Sequence, residues 1–302
     1  MKVLVTGANG LLGHKLIRLL HRDPEVDLIA SGRRPTLPYL QGTTYCPLDI
    51  TDSAAVTAVM LRYKPDVVIH TAAMTNVDQC DQDREGCRKV NVDAVEYLVK
   101  SCEANATRLI YLSTDFVFDG KHGPLDESAI PAPVNYYGEC KAEAESIVSN
   151  SNTPWAIIRT VLVYGITPDL SRSNIVLWVK NSLEQGKAIN VVNDQFRTPT
   201  LAEDLADGCV RVLKKNASGI FHISGEEMLT PYDIAIRTAN YFSLDRSLIT
   251  PADSAFLKQP ARRPAKTGFI IRKAKRELGY QPHSFEEGLR TLAAQINDRS
   301  LS

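Results

Sequence analysis

The sequence predicts an α/β fold built on a doubly wound parallel sheet, and two patterns in its first half support this. Short, nearly continuous apolar runs alternate with longer amphipathic stretches over residues 1–165. Such runs are typical of strands that are buried on both faces, as the strands of parallel sheets are. The repeated strand–helix order indicates right-handed crossovers, which place helices on both sides of one sheet.

Six strands and four helices are predicted in this first half. The strands are KVLVT at 2–6, VDLIAS at 26–31, TTYCPL at 43–48, DVVIHTA at 66–72, RLIYLS at 108–113 and WAIIRT at 155–160. The helical patterns cover 11–22, 53–63, 84–105 and 136–150. In this arrangement all the strands end at one edge of the sheet, where ligands of open α/β folds bind.

Beyond about residue 165 the alternation becomes irregular, which predicts a smaller second region. Its expected elements are a loop at 165–174, a helix near 174–185, a strand at 188–192, a helix at 201–215, the strand GIFHIS at 219–224 and a polar, proline-rich tail. We predict a dinucleotide-binding unit of residues 1–165 plus about 188–224. A partly discontinuous, C-terminal substrate region would comprise residues 166–187 plus 225–302.

Composition excludes several classes of protein. The chain has 302 residues, with Lys+Arg equal to Asp+Glu, so no overall field favours nucleic acid or an anionic membrane. The longest apolar runs are strand-length, and the chain begins with a strand rather than a signal peptide. Six scattered cysteines form no C-x-x-C pair and no metal-ligand spacing. We expect a cytoplasmic protein without a metal site, either a monomer or a homodimer.

A glycine-rich turn follows the first strand in VLVTGANGLLGHKLIRLL. Gly7 permits a tight turn, Gly10 lets the backbone approach a pyrophosphate, and Gly13 allows the helix to pack closely on the strand. The helix N-terminus would then offer free N–H donors to the anion. The spacing is G-x-x-G-x-x-G, and a purely structural turn is the alternative. At the start of a β-α-β series it predicts a dinucleotide site.

The end of the second strand favours NADPH, with NADH the other possibility. An acidic residue at this point would accept from the 2′-hydroxyl of NAD, whereas arginine suits a 2′-phosphate. The strand ends in ASGRR, which supplies Arg33 and Arg34 and no acid. Two solvated loop arginines are the alternative. Asp49, after the third strand, is placed near the adenine, although it or Asp52 is equally suited to cap the next helix.

The segment NYYGECKAE contains two tyrosines before a lysine. Tyr137 and Lys141 are four residues apart, so they share one face of the predicted helix, and Tyr136 does not. A free phenol has a pKa of about 10. We expect the ammonium of Lys141 to lower the pKa of Tyr137, which then exchanges a proton with a carbonyl oxygen as hydride is transferred.

A third donor is needed to polarise the carbonyl group. Ser113 and Thr114 stand at the end of the fifth strand, at the edge where Tyr137 is expected. Y-x-x-x-K occurs by chance on many helices, and Ser-Thr at a strand end is often only a cap. The order of glycine turn, strand-end hydroxyl and Tyr-x-x-x-Lys is what predicts a reductase.

These motifs resemble the short-chain dehydrogenase/reductase superfamily in its extended, sugar-nucleotide-handling branch, which has a Rossmann fold. Within that branch the chain is similar to the dTDP-4-dehydrorhamnose reductases over essentially its whole length. The segments that carry this similarity are AAMTNVDQCD at 72–81, LSTDFVFDG at 112–120, NDQFRTPT at 193–200 and RRP at 262–264. The resemblance implies NADPH-dependent reduction of dTDP-4-dehydrorhamnose to dTDP-L-rhamnose.

The resemblance also implies roles for individual residues. Thr114 would polarise the carbonyl group, Tyr137 would be the acid and Lys141 its electrostatic partner. Tyr137 and Lys141 are also expected to bind the cofactor, Lys141 by a hydrogen bond to the nicotinamide ribose. In the cofactor site, the pyrophosphate would be held by Gly7, Asn9, Gly10, Leu11 and Gly13, the adenine would lie near Asp49 and Ile50, and the ribose near Ala72 and Ala73, with Asn91 one layer behind them. In the substrate site, the sugar pocket would contain Thr75, Asn76 and Val77, and the nucleotide end would contain Gln195 and Arg197.

One departure and two alternatives accompany this interpretation. Many members of the family carry a tryptophan where Leu162 stands, which leaves another 4-keto sugar nucleotide open as the substrate. An NAD-dependent epimerase or dehydratase of the same branch is one alternative, although no glutamate follows Asp115 as a dehydratase would need. The other is a non-catalytic regulatory subunit, because the β subunit of methionine adenosyltransferase resembles the same subgroup.

Overall fold

Seven parallel strands form the central sheet of the computed structural model, which describes residues 1–36, 42–167, 174–256 and 259–300. All strands of the described residues, in chain order, are β1 Lys2–Thr6, β2 Asp27–Gly32, β3 Thr44–Pro47, β4 Val67–His70, β5 Arg108–Thr114, β6 Trp155–Thr160, β7 Val163–Tyr164, β8 Ile189–Val192, β9 Thr200–Leu201, β10 Gly219–His222 and β11 Ile249–Ala252. Of these, β7, β8, β9 and β11 lie outside the central sheet. The order across the sheet is β10-β6-β5-β4-β1-β2-β3, and every pairing is parallel. The predicted doubly wound fold is confirmed.

Helices cover both faces of this sheet. In chain order they are α1 Leu11–His21, α2 Ser53–Tyr63, α3 Val77–Gln82, α4 Arg84–Arg88, α5 Ala94–Ala104, α6 Tyr136–Ser149, α7 Ile175–Glu184, α8 Ala202–Lys214, α9 Pro231–Tyr241 and α10 Phe285–Ser300. On one face, α1 and α8 share an apolar core with the sheet, and α2, α5 and α6 do so on the other. This two-sided burial explains why the strands are apolar at successive positions.

The strand order reverses at β1, which lies between β2 and β4. Connections from the two sides of β1 leave in opposite directions, so a crevice opens at the carboxyl ends of β1 and β4. Gly7 and Thr71 are the first residues beyond these two strand ends. The fold therefore brings the glycine turn to the position where doubly wound sheets bind ligands.

Two small sheets lie outside the central one. β8 pairs with β11, and β7 pairs with β9. The prediction grouped residues 188–224 with the dinucleotide-binding unit, but β8 is not part of the central sheet, because its partner is a strand about 60 residues later. Only β10, from that range, extends the central sheet. The division into two units otherwise stays a prediction.

Most of the predicted elements in the first half agree with the structure to within two residues. The pattern at 84–105 is one exception, since it consists of α4, a π-helical turn at Lys89–Asp93 and α5. The short helix α3 was not predicted. Within the described residues, no helix has the length and apolar character to cross a membrane.

Candidate active site

The glycine turn after β1 leaves no room for side chains. Gly7 has φ +73°, and a Cβ atom there would lie 2.7 Å from the backbone nitrogen of Ala72. A Cβ atom on Gly13 would lie 2.1 Å from the carbonyl oxygen of Gly7. The turn, the first helix and the end of β4 are therefore in direct backbone contact. Larger residues at these two positions would force the elements apart.

The same turn presents hydrogen-bond donors that the protein leaves open. Gly10 is the N-cap of α1 and gives it no side-chain cap, whereas Asp52 caps α2 and Asn135 caps α6. The buried Nδ2 of Asn9 and the buried hydroxyl of Ser31 have no hydrogen-bond partner among the described residues. Buried polar groups of this kind are expected to meet a ligand or water. The turn therefore fits a dinucleotide pyrophosphate at a helix N-terminus that begins with Leu11.

Arg33 and Arg34 are exposed just beyond the end of β2. The Tyr45 hydroxyl donates to the Arg34 carbonyl at 2.7 Å and to the Gly32 carbonyl at 3.1 Å, which fixes the backbone path here. Sequence reasoning missed Tyr45, because its hydroxyl reaches across from β3. Hydrogen bonds from Thr51 lower the pKa of Asp49, and the Arg33 charge adds to this.

Asp49 and Ile50, both predicted to lie near the adenine, have different surroundings. Asp49 accepts two hydrogen bonds from Thr51, at 3.0 Å from the backbone and 2.8 Å from the hydroxyl, and it is exposed. Asp52, the other residue suggested as a cap, accepts from Ala54 and is the N-cap of α2. Ile50 is buried in the core beneath them.

Residues after β4 form the opposite wall of the crevice. Ala72 and Ala73 follow Thr71 and are half-buried, and Ala72 lies beside Gly7. Asn91 is buried in the π-helical turn, where it accepts from the backbone of Met74 and donates to its carbonyl, both at 3.0 Å. Asn91 therefore holds the loop after Ala73 from behind.

The three residues predicted for the sugar pocket lie on that same loop. Thr75 and Asn76 are exposed, and Val77 is the first residue of α3. The Asn76 side chain accepts from the backbone of Gln79 at 3.1 Å and so caps α3. Asn76 is therefore the N-cap of α3 in this structure.

Thr114, Tyr137 and Lys141 are all buried around the carboxyl end of β5. Thr114 ends β5, Tyr137 stands in the first turn of α6, and Lys141 is one turn later. They are 7%, 7% and 2% exposed. The hydroxyl of Thr114 forms a side-chain hydrogen bond that acts on the phenol of Tyr137. The fold thus brings together the three residues that the sequence singled out for catalysis.

Tyr136 has different surroundings. It is half-buried, and the Arg84 guanidinium lies 4.8 Å from its ring centroid. Its hydroxyl is hydrogen-bonded with the thiol of Cys140. The assignment of Tyr137 to the face shared with Lys141 agrees with these environments.

The electrostatics of Tyr137 differ from the expectation. Burial raises the pKa of Tyr137, and the hydrogen bond with Thr114 opposes this only in part. The Lys141 ammonium donates to the Leu112 carbonyl at 2.7 Å and lies 4.2 Å from the Tyr111 ring centroid. Burial lowers the pKa of Lys141 to about 7. The expected lowering of the Tyr137 pKa is therefore not found, because burial of the phenol outweighs the effect of the Thr114 hydroxyl and Lys141 is not among the main influences on it.

Asp115 and Arg197 form a buried ion pair next to Thr114. The Arg197 Nε lies 3.5 Å from Asp115 Oδ2, and Thr114 donates to Asp115 Oδ1 at 3.1 Å. Burial raises the pKa of Asp115, and Arg197 opposes this. The other nitrogens of Arg197 donate to the carbonyls of Phe196, Pro264 and Ala265. Arg197 was predicted to face the nucleotide, but here its donors are used within the protein.

Gln195 is likewise buried, and its amide donates to Gln259 at 3.1 Å. The two residues predicted for the nucleotide end thus stabilise the loop between β8 and β9. Ser113, the alternative hydroxyl, is buried and its Oγ has no hydrogen-bond partner within the described chain. Its neighbour Thr114 is the hydroxyl that reaches Tyr137.

Residues 261–268, which we call the crossing segment, run past the ends of several site elements. Asp78 of α3 accepts from the Ala261 backbone at 3.1 Å and from the Arg263 guanidinium at 2.8 Å. The Asn135 amide, at the start of α6, donates to the Arg262 carbonyl at 2.7 Å. The hydroxyl of Thr267 donates to Asp115. The crossing segment therefore ties the C-terminal region to the catalytic residues.

A model of the family described as "RmlD substrate binding domain" matches residues 1–297. The probable low-salt glycan biosynthesis reductase Agl14 of Haloferax volcanii is 33% identical over 307 residues, which cover 99% of this chain and 100% of the relative. The methionine adenosyltransferase 2 subunit beta of Pongo abelii is 34% identical over 272 residues, which cover 87% of this chain and 78% of the relative.

Solved structures give the same result. A dTDP-4-dehydrorhamnose reductase from Clostridium acetobutylicum superposes with a TM-score of 0.88 at 28% identity, covering 98% of this chain and 100% of its own. A dTDP-4-dehydrorhamnose reductase from Bacillus anthracis, in complex with NADP, superposes with a TM-score of 0.84 at 27% identity, covering 97% and 99%. The resemblance inferred from the motifs is confirmed.

Proposed function

The chain belongs to the RmlD substrate binding domain family and is an NAD(P)H-dependent oxidoreductase, and from this premise we propose that it reduces the 4-keto group of a nucleotide-linked 6-deoxy sugar. The proposed substrate is dTDP-4-dehydrorhamnose, and the product is dTDP-L-rhamnose. The observation that carries this proposal is the meeting of Thr114, Tyr137 and Lys141 at the carboxyl end of β5.

Each of the three residues has a distinct task in the proposed reaction. When bound, a reduced nicotinamide supplies the hydride to the carbonyl carbon. Tyr137 donates its phenolic proton to the carbonyl oxygen, which completes the alcohol. The Thr114 hydroxyl polarises that oxygen, and the Lys141 ammonium stabilises the phenolate that remains. Solvent then returns a proton to Tyr137.

NADPH is the proposed cofactor, with NADH as the second choice. Arg33 and Arg34 are exposed beyond β2, and the strand itself ends without an acidic residue. A guanidinium is the preferred partner of a phosphate group, because its parallel N–H donors match the phosphate oxygens. Gly7, Asn9, Gly10, Leu11 and Gly13 would hold the pyrophosphate, and Ala72 and Ala73 would face the nicotinamide ribose.

The loop of Thr75, Asn76 and Val77 is the proposed sugar-binding wall. Its first two residues are exposed at the mouth of the crevice, and Asn91 fixes the backbone just before them. Gln195 and Arg197 would act on the nucleotide end indirectly, by holding the β8–β9 loop and the crossing segment. We propose a monomer or a homodimer as the working assembly.

A substrate panel tests the proposal. Purified protein with NADPH should consume the cofactor only when a 4-keto-6-deoxy sugar nucleotide is added, and dTDP-4-dehydrorhamnose should be turned over fastest. Product analysis should show dTDP-L-rhamnose. Tyr137→Phe is the control, since it should abolish consumption without preventing NADPH binding. If no 4-keto sugar nucleotide is turned over, the proposal is wrong.

A second candidate is a binding role as a subunit of a methionine adenosyltransferase. The specific observation is that several relatives of this kind are at least 30% identical over most of the chain. The test is co-purification of the tagged protein with an adenosyltransferase from its own cells. Stable association without turnover of any keto sugar would favour this second role over the first.

A further inference from the structure

Three residues of α6 follow one another along a single buried face. Tyr137, Lys141 and Glu145 are spaced four residues apart, and side chains at this spacing are neighbours on a helix. Glu145 is 5% exposed, so it is about as buried as Tyr137 and Lys141. The proposed reaction uses the first two and gives no task to Glu145.

Arg159 holds Glu145 rigidly. This residue of β6 donates to the carboxylate from Nε at 2.9 Å and from Nη2 at 2.6 Å. Arg159 is 1% exposed, and its guanidinium lies 5.0 Å from the Phe118 ring centroid. A two-point contact of this kind fixes both the position and the orientation of a carboxylate. Glu145 and Arg159 thus form a buried ion pair that fixes the Glu145 carboxylate in place.

Lys141 needs such a charge. Its ammonium has a carbonyl oxygen and the face of an aromatic ring as neighbours, and both are weaker partners than a carboxylate. Burial lowers the pKa of Lys141 to about 7, and Glu145 is the strongest influence in the opposite direction. Without a counter-charge, the lysine would lose its proton at neutral pH and could not stabilise a phenolate.

We propose that Glu145, held by Arg159, is a positioning residue whose carboxylate keeps Lys141 protonated beside Tyr137. The inference rests on the proposed function, because a protonated lysine matters there as the partner of a phenolate. It adds a residue to the reaction that touches neither substrate nor cofactor. Glu145 acts entirely through Lys141.

Other titratable groups face Lys141 from the elements packed around it. They are His70 of β4, Tyr111 of β5, Cys80 of α3, Cys87 of α4, and Tyr137, Cys140 and Glu145 of α6 itself. Burial lowers the pKa of His70 to about 3 and raises that of Tyr111. The hydrogen bond with Cys87 and burial raise the pKa of Cys140. His70, Tyr111 and Cys140 therefore keep one protonation state near neutral pH.

The Cys87 thiol also stays protonated near neutral pH. Its hydrogen bond with Cys140 lowers the pKa, but contact with Cys80 and burial outweigh this and raise it to about 11. A pH effect between about 5.5 and 8.5 that depends on Glu145 is consequently assigned to Lys141.

The first test is the pH profile of kcat/KM for Glu145→Gln. The activity of the variant should be lost at lower pH than that of the wild type, with the basic limb displaced by about one pH unit or more. Activity at pH 6 should stay within about threefold of wild type, which separates a charge effect from damage to the site. Glu145→Asp, which keeps the charge, should restore the limb at least in part.

The matched control is Glu143→Gln. Glu143 lies on the same helix and also receives two hydrogen bonds from an arginine, Arg88, but it is exposed. Removing its charge should leave the basic limb where the wild type has it. If Glu143→Gln and Glu145→Gln give the same profile, the inference is wrong.

A second test needs no substrate. The free energy of unfolding is measured by urea between pH 5.5 and 8.5 for wild type and Glu145→Gln, each with and without Lys141→Met. If Glu145→Gln lowers the pKa of Lys141 in the folded state, the folded variant binds fewer protons than the folded wild type within this pH window. The stability deficit of Glu145→Gln should therefore shrink as pH rises through this window.

Lys141→Met should abolish that pH dependence, because the titrating group is gone. A deficit that is constant with pH in both backgrounds would overturn the inference, since Glu145 would then be only a structural partner of Arg159. If the wild type turns over no keto sugar, the proposed function fails, but the unfolding measurement still decides whether Glu145 sets the charge of Lys141.

Discussion

Tyr136 and Tyr137 are adjacent in the chain but differ in every contact that matters. Tyr137 is buried and reaches the Thr114 hydroxyl, whereas Tyr136 lies half-buried under the Arg84 guanidinium. The helical spacing to Lys141 was enough to distinguish them, because a helix places residues four apart on one face. This part of the site could be predicted from the sequence alone.

Replacing these two phenols gives the first prediction. Tyr137→Phe should lower kcat by about 10²–10⁴-fold, the typical contribution of a positioned proton donor, and leave the Kd of NADPH nearly unchanged. Tyr136→Phe should lower kcat by less than about tenfold, since Tyr136 lies beside Cys140 and Arg84 rather than at Thr114. Steady-state kinetics and NADPH fluorescence titration measure the two quantities. Equal losses in kcat would contradict the assignment of the faces.

The surroundings of Lys141 and Arg197 could not be predicted from the sequence. Lys141 titrates near neutrality because the folded chain removes water from it, and burial of a single atom has no signature in a motif. Arg197 was placed at the nucleotide by resemblance, but Asp115 and three backbone carbonyls take its donors. Those partners come from distant parts of the chain, so local patterns do not reveal them.

At the scale of elements, the strands of the central sheet were predictable. The strand at 188–192 was also expected, but the pairings in the small sheets were not. A buried parallel strand is apolar at successive positions, so β1, β5 and β6 can be recognised without their neighbours. β8 and β11 are short and mutually dependent, because each forms its hydrogen bonds with the other. A strand of four residues carries no sequence pattern that specifies its pairing partner.

The N-cap of α6 gives the second prediction. Asn135 accepts from the Gly138 backbone at 2.8 Å and donates to the Arg262 carbonyl at 2.7 Å. Asn135→Ala removes both hydrogen bonds and should lower the free energy of unfolding by about 1–2 kcal/mol. It should also raise KM, because the first turn that carries Tyr137 and the crossing segment both loosen.

Asp52→Ala is the control for that change. Asp52 caps α2 through hydrogen bonds to Ala54 and Ala55, and it is exposed. Its replacement should cost about 1 kcal/mol in urea unfolding with no change in KM. A matching rise of KM in both variants would show that the kinetic effect of Asn135 reflects stability alone.

The third prediction concerns the contact between the starts of α8 and α10. His283 Nδ1 lies 2.6 Å from Asp204 Oδ1, and this hydrogen bond raises the pKa of His283. A histidine with a raised folded pKa adds stability below its unfolded pKa of about 6.5, and loses it as pH rises through the folded pKa. His283→Gln should thus be more destabilising at pH 6 than at pH 8.5.

The size of this effect is limited by solvent. The His283 side chain is 51% exposed, so the pair should contribute less than about 1 kcal/mol. Urea unfolding of wild type and variant at several pH values measures it. A difference between the two proteins that grows with rising pH would have the wrong sign and would exclude the charged pair.

At the scale of the whole molecule, a bound cofactor should stabilise the fold, because the crevice joins β1, α1 and the end of β4. A ligand present at 100 times its Kd adds about 2.7 kcal/mol to the free energy of unfolding. We predict that NADPH raises Tm more than NADH at equal concentration. Changing Arg33 and Arg34 together to Ala should remove the difference, as measured by thermal unfolding.

The matched control for that measurement is Arg62→Ala. Arg62 lies on α2 and not at the end of β2, and its guanidinium stacks on the ring of Tyr63. This variant should keep the larger response to NADPH. If the double variant also keeps it, the two arginines do not contact the 2′-phosphate.

The crossing segment has a consequence for how the protein is made. Thr267, which donates to Asp115, is 152 positions further along the chain. During synthesis, the phenol and the ammonium leave the ribosome before Arg197, which pairs with the Asp115 carboxylate, and long before Thr267, which donates a hydrogen bond to it. A nascent chain that ends before residue 197 still carries an unpaired acid at the future reaction centre. Maturation of the catalyst is therefore one of the last events of its biosynthesis, and chains that terminate early should be inactive even where they fold.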